Sequence, residues 1–360
     1  MNLNILVLPG DGIGTEVTGE AVKVLRVVAQ KWKHQLTLRE ALLGGIAIHR
    51  TGGPFPAETE KLALEADAVL MGAVGLPEFD DAPFEKRPER GLLGIRKSMG
   101  VYANLRPMRS YKALLDSSPL KNHLVDGVDM IIVRELNGGI YYGTPRGIFT
   151  DGPEPRGVNT MTYTKSEIVR VCRMAFELAS KRRKKLTSVD KQNVLETSVL
   201  WRNTVVELSK EYPEVALDHL LVDNAAMQLV LNPKRFDVLV TENMFGDILS
   251  DEGAILAGSI GMLPSASLGA KKPNGAWTGL YEPVHGSAPD IAGKNKANPF
   301  GAIGSVAGLL EYSFGLVEEA AAVNRAMEQV LGSGRVTADL HPAGTPATTE
   351  QVGEAVCQAI

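Results

Sequence analysis

Two aspartates, Asp247 and Asp251, follow an apolar run and stand four residues apart in the stretch TENMFGDILSD, residues 241–251. On a helix this spacing puts both carboxylates on one face, where they repel each other unless a cation lies beside them. Hard oxygen donors in small number suit Mg²⁺ or Mn²⁺. The pattern would suit a divalent metal site, although an isolated D-x-x-x-D more often forms a solvated helical face. Asp223 ends another predicted strand and could join the pair, because ligands of open α/β sheets gather at the strands' carboxyl ends.

Three arginines supply the opposite charge, namely Arg96, Arg106 and Arg134. Arg134 ends a predicted apolar strand. A guanidinium group binds a carboxylate through two parallel hydrogen bonds, so three converging arginines would suit a dicarboxylate. Each arginine taken alone would equally suit a surface ion pair.

Two further side chains could move protons. Lys191 follows the predicted strand 187–190, and a nearby cation would lower its pKa so that it could serve as a base. Tyr141 could donate a proton.

Two loops could hold a nucleotide. The turn GDGIG at 10–14 has the spacing G-x-G-x-G rather than G-x-G-x-x-G, so a tight structural turn and a cofactor loop both remain open. The loop 282–293 holds His285 and Asp290 among small residues. An aspartate facing an adenosine ribose accepts hydrogen bonds from both hydroxyls and would repel a 2′-phosphate, which would favour NAD over NADP. A structural loop with a capping Asp290 is the alternative.

The elements that must position these residues form an α/β pattern. Strand-like runs alternate with helical ones, and the predicted strands are 4–8, 68–71, 130–133, 217–222 and 236–240. One helix begins with a capping box at Thr164 and Glu167 and ends in the basic run 182–185, whose cations complement the helix dipole. The glycine- and proline-rich segment 137–158 predicts an arm that leaves the main sheets and could reach a partner subunit.

Composition limits the function classes. The chain has 360 residues, 44% of them apolar and 22% charged, which predicts a soluble globular protein of one large or two domains. A net charge of -4 gives no global positive field for nucleic acid or an anionic membrane. No run is long enough for a transmembrane span. Cys172 and Cys357 stand far apart, as reduced thiols of a cytoplasmic protein would.

Six motifs together carry a family resemblance, and they span most of the chain. They are GLLGIRKS (91–98), ANLRP (103–107), VRELNGGIYYG (133–143), VDKQNVLE (189–196), NMFGDILSD (243–251) and PVHGSAPDIAG (283–293). The chain resembles the isocitrate/isopropylmalate dehydrogenase family of metal-dependent β-decarboxylating dehydrogenases, and within it the members that act on 3-isopropylmalate. The resemblance implies two open α/β domains, not a standard Rossmann fold, with the active site in the interdomain cleft. A discontinuous cofactor-binding domain would comprise 1–101 and 258–360, and a dimerisation and metal/substrate domain 102–257.

The resemblance also implies a reaction: NAD-dependent oxidation of (2R,3S)-3-isopropylmalate and its decarboxylation to 4-methyl-2-oxopentanoate, in leucine biosynthesis. Tyr141 and Lys191 match the family's catalytic pair. The remaining carried-over residues have three roles. Substrate contacts are Arg96, Arg106, Arg134, Asp223, Leu92 and Val194; Mg²⁺ or Mn²⁺ ligands are Asp223, Asp247 and Asp251; NAD contacts are Glu89, His285, Gly286, Ser287, Ala288, Asp290, Ile291 and Asn298.

The resemblance finally implies a homodimer in which Lys191 and Asp223 enter the partner's active site. Leu92 and Val194 would meet an isopropyl group, whereas the isocitrate enzymes have a serine and an asparagine near Leu92 to meet a third carboxylate. Two residues depart from the family pattern. Lys296 stands where an apolar residue is usual, and Gly253 stands where alanine is frequent, which predicts a slightly looser helix.

Overall fold

The computed structural model describes residues 1–360 apart from the side chain of Phe84. Its strands are β1 Asn2–Gly10, β2 Gln35–Glu40, β3 Ala68–Ala73, β4 Ala103–Arg109, β5 Asp129–Glu135, β6 Gly147–Phe149, β7 Arg156–Val158, β8 Lys185–Asp190, β9 Ala216–Leu221, β10 Val238–Thr241, β11 Pro264–Lys271 and β12 Trp277–Pro283. Its α-helices are α1 Gly14–Lys31, α2 Gly45–Thr51, α3 Ala57–Glu65, α4 Glu89–Ser98, α5 Asn122–Val125, α6 Lys165–Lys181, α7 Glu196–Ser209, α8 Val222–Leu231, α9 Asn243–Ala254, α10 Phe300–Phe314, α11 Val317–Gly332 and α12 Thr349–Ala359. Helices and strands alternate along much of the chain, as the α/β pattern predicts.

The first of two compact units comprises Met1–Val101, Ser110–Pro119 and Ala257–Ile360. Its strand order is β2-β1-β3-β12-β11, in which β1 pairs in parallel with β2 and β3 and β12 pairs in antiparallel with β11. Helix α10 is buried along most of its length and packs on β11 and β12. Both ends of the chain therefore build one core.

The second unit comprises Tyr102–Arg109 and Leu120–Leu256. Its strand order is β4-β5-β10-β8-β9, with β5, β10, β8 and β9 parallel and β4 antiparallel to β5. Parallel pairing brings the carboxyl ends of β5, β8 and β10 to one edge, and Arg134, Lys191 and Asn243 lie at these ends. Strands β6 and β7 pair only with each other among the described residues, which fits an arm that leaves the main sheet.

Segment 110–119 differs from the predicted domain boundaries, which placed it in the second domain. It contains the 3₁₀ helix Lys112–Ser117, which packs against α11 of the first unit. The Ser117 hydroxyl donates to the Leu340 carbonyl at 2.9 Å. These contacts attach the segment to the first unit.

Local signals explain several element boundaries. The capping box at Thr164 is formed, since Glu167 N–H donates to the Thr164 hydroxyl and the Glu167 carboxylate accepts from Thr164 N–H. The predicted strand 217–222 is one residue too long, because Val222 begins α8. The predicted strand 236–240 is also displaced, because β10 begins at Val238 after a 3₁₀ turn that ends at Arg235.

The basic run 182–185 has structural partners. Arg182 Nε donates to the buried Asp237 carboxylate at 2.8 Å, and its Nη2 donates to Asp129 at 2.8 Å. Arg183 N–H donates to the second Asp237 oxygen at 2.9 Å. The run therefore closes the amino-terminal ends of β5, β8 and β10.

Candidate active site

Helix α9 carries the two aspartates. Glu242 caps it, since its carboxylate accepts from the Phe245 and Met244 N–H groups at 2.7 and 3.1 Å. The strand β10 delivers the chain to this cap directly. Asp247 and Asp251 then lie one turn apart, with side chains 36% and 64% exposed. Both carboxylates keep oxygen surface open to solvent.

The two aspartates are compensated by the two predicted arginines of the second unit. Arg134 Nη1 donates to Asp247 Oδ1, and Arg106 Nη1 donates to Asp251 Oδ1 at 3.0 Å. Arg106 also donates to the Ser250 hydroxyl at 2.6 Å. Arginines and carboxylates thus alternate along one face of α9, which removes the repulsion that the spacing alone would cause.

Tyr141 lies at the same face of α9. Its hydroxyl donates to Asp247 Oδ2 at 2.9 Å, and its ring lies 5.9 Å from the Arg134 guanidinium carbon. Partial burial, together with the Asp247 carboxylate, raises the pKa of Tyr141 to about 12. The hydroxyl therefore keeps its proton at neutral pH and is able to give it to a base.

Lys191 and Asp223 form a separate pair. Lys191 follows β8 directly, and its Nζ donates to Asp223 Oδ1 at 2.7 Å. Asp223 lies in the first turn of α8 rather than at the end of a strand. The hydrogen bond from Lys191 lowers the pKa of Asp223. The neighbour that the structure gives Lys191 is thus a carboxylate, where the sequence analysis considered a cation.

A divalent cation is the natural test of these donors. Among the described residues of one chain, no three His, Cys, Asp or Glu side chains gather closely enough to hold a metal. Asp223 therefore does not complete the Asp247–Asp251 pair within a single chain. The pair itself fits a hard cation, because each carboxylate is partly exposed and a carboxylate has about four acceptor positions. Two carboxylates are enough to anchor Mg²⁺ when water and a chelating substrate complete its coordination.

Arg96 and Leu92 lie on α4 of the first unit. Arg96 Nη2 forms an ion pair with the buried Glu282 carboxylate, whereas its Nε is buried with no hydrogen-bond partner among the described atoms. Leu92 is half-buried. Val194, which belongs to the second unit, is 68% exposed. The guanidinium of Arg96 thus keeps an unfilled donor.

The first glycine turn is tied to neighbouring segments by backbone hydrogen bonds. The Asp11 carboxylate accepts from the backbone N–H groups of Gly45, Ile46 and Gly75 at 2.7, 2.8 and 2.9 Å. Ile13 N–H donates to the Ser287 carbonyl at 2.8 Å. At Gly12, whose φ is +56°, a Cβ would lie 2.0 Å from that carbonyl. The turn therefore supports the 285–291 loop through its backbone.

The 285–291 loop has features of a nucleotide site. The Nδ1 of His285 donates to the Gly286 carbonyl at 2.9 Å, which leaves Nε2 as a buried acceptor with no partner among the described residues. Burial lowers the pKa of His285, so the ring is neutral at pH 7. A Cβ on Gly75 would lie 3.4 Å from both Glu89 Oε1 and Ser287 Oγ. The unfilled acceptor of His285 fits a nucleotide donor.

The other predicted nucleotide contacts differ in character. Asp290 is exposed, whereas Ala288 and Ile291 are half-buried and Gly286 is open to solvent. Ala288 has a φ of +38°. Asn298 is engaged elsewhere, because its amide donates to Asp339 at 2.9 Å and accepts from Phe300 N–H at 3.0 Å. Its side chain therefore holds the start of α10.

One departure from the family pattern has a packing cause. A Cβ on Gly253 would lie 2.3 Å from the sulfur of Met108, a buried residue of β4. Glycine thus gives Met108 its space against α9, which the sequence analysis did not foresee. Lys296 is exposed, and nothing in the structure explains its charge.

Three functional neighbours were missed by the sequence analysis: Glu242, Asn243 and Gly246. Asn243 accepts from Arg134 Nε and Nη2 at 2.9 and 2.8 Å. A Cβ on Gly246 would lie 2.6 Å from Arg134 Cγ. The available signal was their spacing, since Asn243, Gly246 and Asp247 share one helix face.

Comparison with known proteins identifies the family. The family model described as isocitrate/isopropylmalate dehydrogenase matches residues 4–356. The 3-isopropylmalate dehydrogenase of Geobacillus kaustophilus is 57% identical over 98% of this chain and 94% of its own, and that of Aquifex aeolicus is 53% identical over 94% and 92%.

Solved structures agree with the sequence comparisons. The isocitrate dehydrogenase of Methylococcus capsulatus superposes with a TM-score of 0.86 at 33% identity over 99% of both chains. A β-decarboxylating dehydrogenase of Thermococcus kodakarensis superposes with a TM-score of 0.80 at 34% identity, over 99% of this chain and 96% of that one. The chain belongs to the isocitrate/isopropylmalate dehydrogenase family.

Proposed function

We propose that this protein oxidises (2R,3S)-3-isopropylmalate with NAD⁺ and decarboxylates the product to 4-methyl-2-oxopentanoate, a step of leucine biosynthesis. The observation that carries the proposal is the face of α9, where Arg106, Arg134 and Tyr141 meet Asp247 and Asp251. The named relatives at 53–57% identity support isopropylmalate as substrate.

Binding of a dicarboxylate follows from the arginines. Arg106 and Arg134 already hold carboxylates in this chain, and their guanidinium groups suit the carboxylates of a substrate. From the first unit, Arg96 offers its unfilled Nε. Leu92 and Val194 would contact the isopropyl group. Apolar side chains there would leave the third carboxylate of isocitrate unpaired, which disfavours isocitrate as a substrate.

Proton transfer follows from the lysine and the tyrosine. Lys191 takes the proton of the substrate's C2 hydroxyl, and NAD⁺, when bound, would accept the hydride that leaves as the C2–H bond breaks. After the carboxylate on C3 leaves as CO₂, the Tyr141 hydroxyl gives its proton to that carbon. A divalent cation held by Asp247, Asp251 and a partner's Asp223 would supply Lewis-acid polarisation of the C2 oxygen.

The cofactor proposals rest on donor chemistry. Mg²⁺ or Mn²⁺ suits the carboxylates of α9. NAD suits the 285–291 loop, where the unfilled His285 Nε2 would accept from the nucleotide and Glu89 and Ser287 lie beside Gly75. Asp290 would accept from the ribose hydroxyls and disfavour NADP. The remaining proposed contacts are Gly286, Ala288, Ile291 and Asn298.

A homodimer is supported by an apolar face on α8 and α9. Met227, Leu231 and Ile248 are 56%, 63% and 60% exposed, and exposed apolar side chains that lie together mark protein–protein interaction sites. A second copy would cover it, and would bring Lys191 and Asp223 to the partner's α9. Light scattering coupled to gel filtration tests this, because a monomer at micromolar concentration contradicts it.

Two further properties complete the proposal. The described helices include none that is long and apolar enough to cross a membrane. Cys172 is buried and Cys357 half-buried, and neither forms a disulfide. Unpaired thiols fit a reducing compartment, so we propose a cytoplasmic location.

The proposal is tested with purified protein, Mn²⁺ and NAD⁺ on isopropylmalate, isocitrate and tartrate in parallel. We expect NADH formation with isopropylmalate at the highest kcat/KM, loss of activity with EDTA, and recovery with Mn²⁺. Substituting NADP⁺ for NAD⁺ should lower kcat/KM. Activity on isocitrate or tartrate in place of isopropylmalate would refute the substrate.

A further inference from the structure

Asn243 is buried at the first turn of α9 and uses every hydrogen-bonding position of its side chain. Its Oδ1 accepts from Arg134 Nε and Nη2 at 2.9 and 2.8 Å. Its Nδ2 donates to the carbonyls of Leu136 and Gly138 at 3.1 and 3.2 Å. An amide has two acceptor and two donor positions, so the side chain is saturated.

The two halves of this amide face different parts of the proposed machinery. The oxygen holds the guanidinium of Arg134. The NH₂ group holds the loop 136–140, which leads directly to Tyr141. Asn243 thus joins an arginine suited to substrate binding and the segment that places the proton donor.

Gly246 completes the seat of Arg134. A Cβ there would lie 2.6 and 2.7 Å from Arg134 Cγ and Cβ, so glycine lets the aliphatic stem lie against α9. Asp247 then accepts from Nη1. The Nε and Nη2 atoms of Arg134 thus donate to Asn243, its aliphatic stem lies against Gly246, and its Nη1 donates to Asp247.

A buried network holds Asn243 in turn. Its backbone N–H donates to the Tyr163 hydroxyl at 3.0 Å. That hydroxyl lies 3.2 Å from Glu242 Oε2 and 3.4 Å from Glu135 Oε2. Glu135 accepts from the N–H groups of Asn137 and Gly138 at 2.9 and 2.7 Å. The loop before Tyr141 is therefore held from two sides.

We propose that Asn243 is a positioning residue which, with Gly246, aligns Arg134 for the substrate and fixes the loop that carries Tyr141. The inference rests on the proposed function and extends it to residues outside the predicted site. The two interactions can be tested separately, because the amide oxygen of Asn243 contacts Arg134 and its nitrogen contacts the loop.

Three substitutions distinguish the contact with Arg134 from the contact with the loop. Asn243→Asp keeps an oxygen that accepts from Arg134, but it replaces the NH₂ group by a second oxygen. That oxygen repels the carbonyls of Leu136 and Gly138, which displaces the loop. Gly246→Ala displaces the Arg134 stem and leaves the loop bonds in place. Asn243→Ala removes the hydrogen bonds to both Arg134 and the loop without adding charge. Asn203→Asp, on the exposed side of α7, is the matched control.

The experiment measures kcat and KM with Mn²⁺ and NAD⁺, and the Kd of isopropylmalate by calorimetry with Mn²⁺ alone. For Asn243→Asp we expect kcat to fall roughly 10- to 100-fold, since a shift of about 1 Å costs that much, with Kd within about threefold. For Gly246→Ala we expect KM and Kd to rise about tenfold, with kcat within about threefold. Asn243→Ala should show both defects.

Several results would overturn the inference. Variants that match the control in kcat, KM and Kd would do so, as would parallel losses in all three variants that follow thermal stability alone. If Asn243→Asp does not fold, Asn243→Ala and Gly246→Ala decide, because a structural role predicts the same pattern for both. A native enzyme inactive on isopropylmalate would instead refute the proposed function.

Discussion

The two halves of the proposed catalytic set differ in how the chain supports them. Arg134 of β5 lies against α9, where its side chain is only 9% exposed and is held by Asn243, Gly246 and Asp247. Lys191 and Asp223 are joined by the hydrogen bond from Nζ to Oδ1, and their side chains are 26% and 62% exposed. One half is therefore preorganised within the chain, and the other stands at the surface.

This difference shows which charged groups the fold must hold in place. A buried guanidinium must be paired, because an unpaired buried charge costs several kcal/mol. The Asp223 carboxylate has no such requirement, since water solvates most of it, and Lys191 is partly exposed beside it. An ion pair at the surface is able to open, so that Lys191 and Asp223 each contact groups of a second copy. The proposed dimer uses that freedom.

The largest expected effect comes from the exposed half. Lys191→Ala should lower kcat roughly 10²- to 10⁴-fold, because it removes the proposed base. Thermal stability should stay as in the native protein, since the lysine's partner is exposed. NADH formation and thermal unfolding measure the two. Lys210→Ala, an exposed lysine after α7, is the control, and a Lys191→Ala enzyme with native kcat would contradict the assignment.

Next in size is the response to metal. Asp251→Asn removes one charge from the α9 pair while it keeps an oxygen near Arg106. The Mn²⁺ concentration for half-maximal activity should rise at least about tenfold, since carboxylates are the ligands a hard cation prefers. A titration with Mn²⁺ after EDTA treatment measures it. An unchanged half-saturation would remove Asp251 from the proposed ligands.

A smaller effect compares stability on the two sides. Tyr163→Phe leaves the Asn243 N–H without its acceptor, so the free energy of unfolding should fall by about 1–3 kcal/mol. Asp223→Asn should leave it unchanged within error. Urea unfolding of both variants gives the comparison. Equal losses would show that the two halves are supported alike.

The smallest effect is a pH dependence of the buried half. Burial raises the pKa of Glu135, so the folded state holds its proton more tightly than the unfolded state does. The contribution of Glu135 to stability is thus fully present below about pH 4.5, its ordinary value, and is lost as pH rises through the raised pKa. Glu135→Gln should flatten this trend in urea unfolding. A difference between the two proteins that does not vary with pH would contradict it.

Sequence patterns predicted those features that depend on local spacing. The i, i+4 pair Asp247 and Asp251 lies on one helix, and the capping box at Thr164 forms, because both depend on residues within one or two turns. The α/β class followed from alternating runs for the same reason.

Features that depend on contacts distant in sequence escaped prediction. Asn243 meets Arg134 across more than a hundred residues, and only the pairing of β5 with β10 brings them together. The glycine turn at 10–14 left a structural turn and a cofactor loop open, and no local spacing indicated its bond to the distant Ser287 carbonyl. Segment 110–119 lacks a periodic pattern and took its place from contacts with α11 and Leu340.

The central claim is that Lys191 and Asp223 serve the α9 of another copy, and mixing of inactive subunits tests it directly. Lys191→Ala and Asp247→Ala proteins are each inactive alone in this account. Unfolded together and refolded as an equal mixture, half of the dimers should be mixed and contain one intact site each, giving about a quarter of native activity. Activity that stays at the level of the separate variants would contradict the claim.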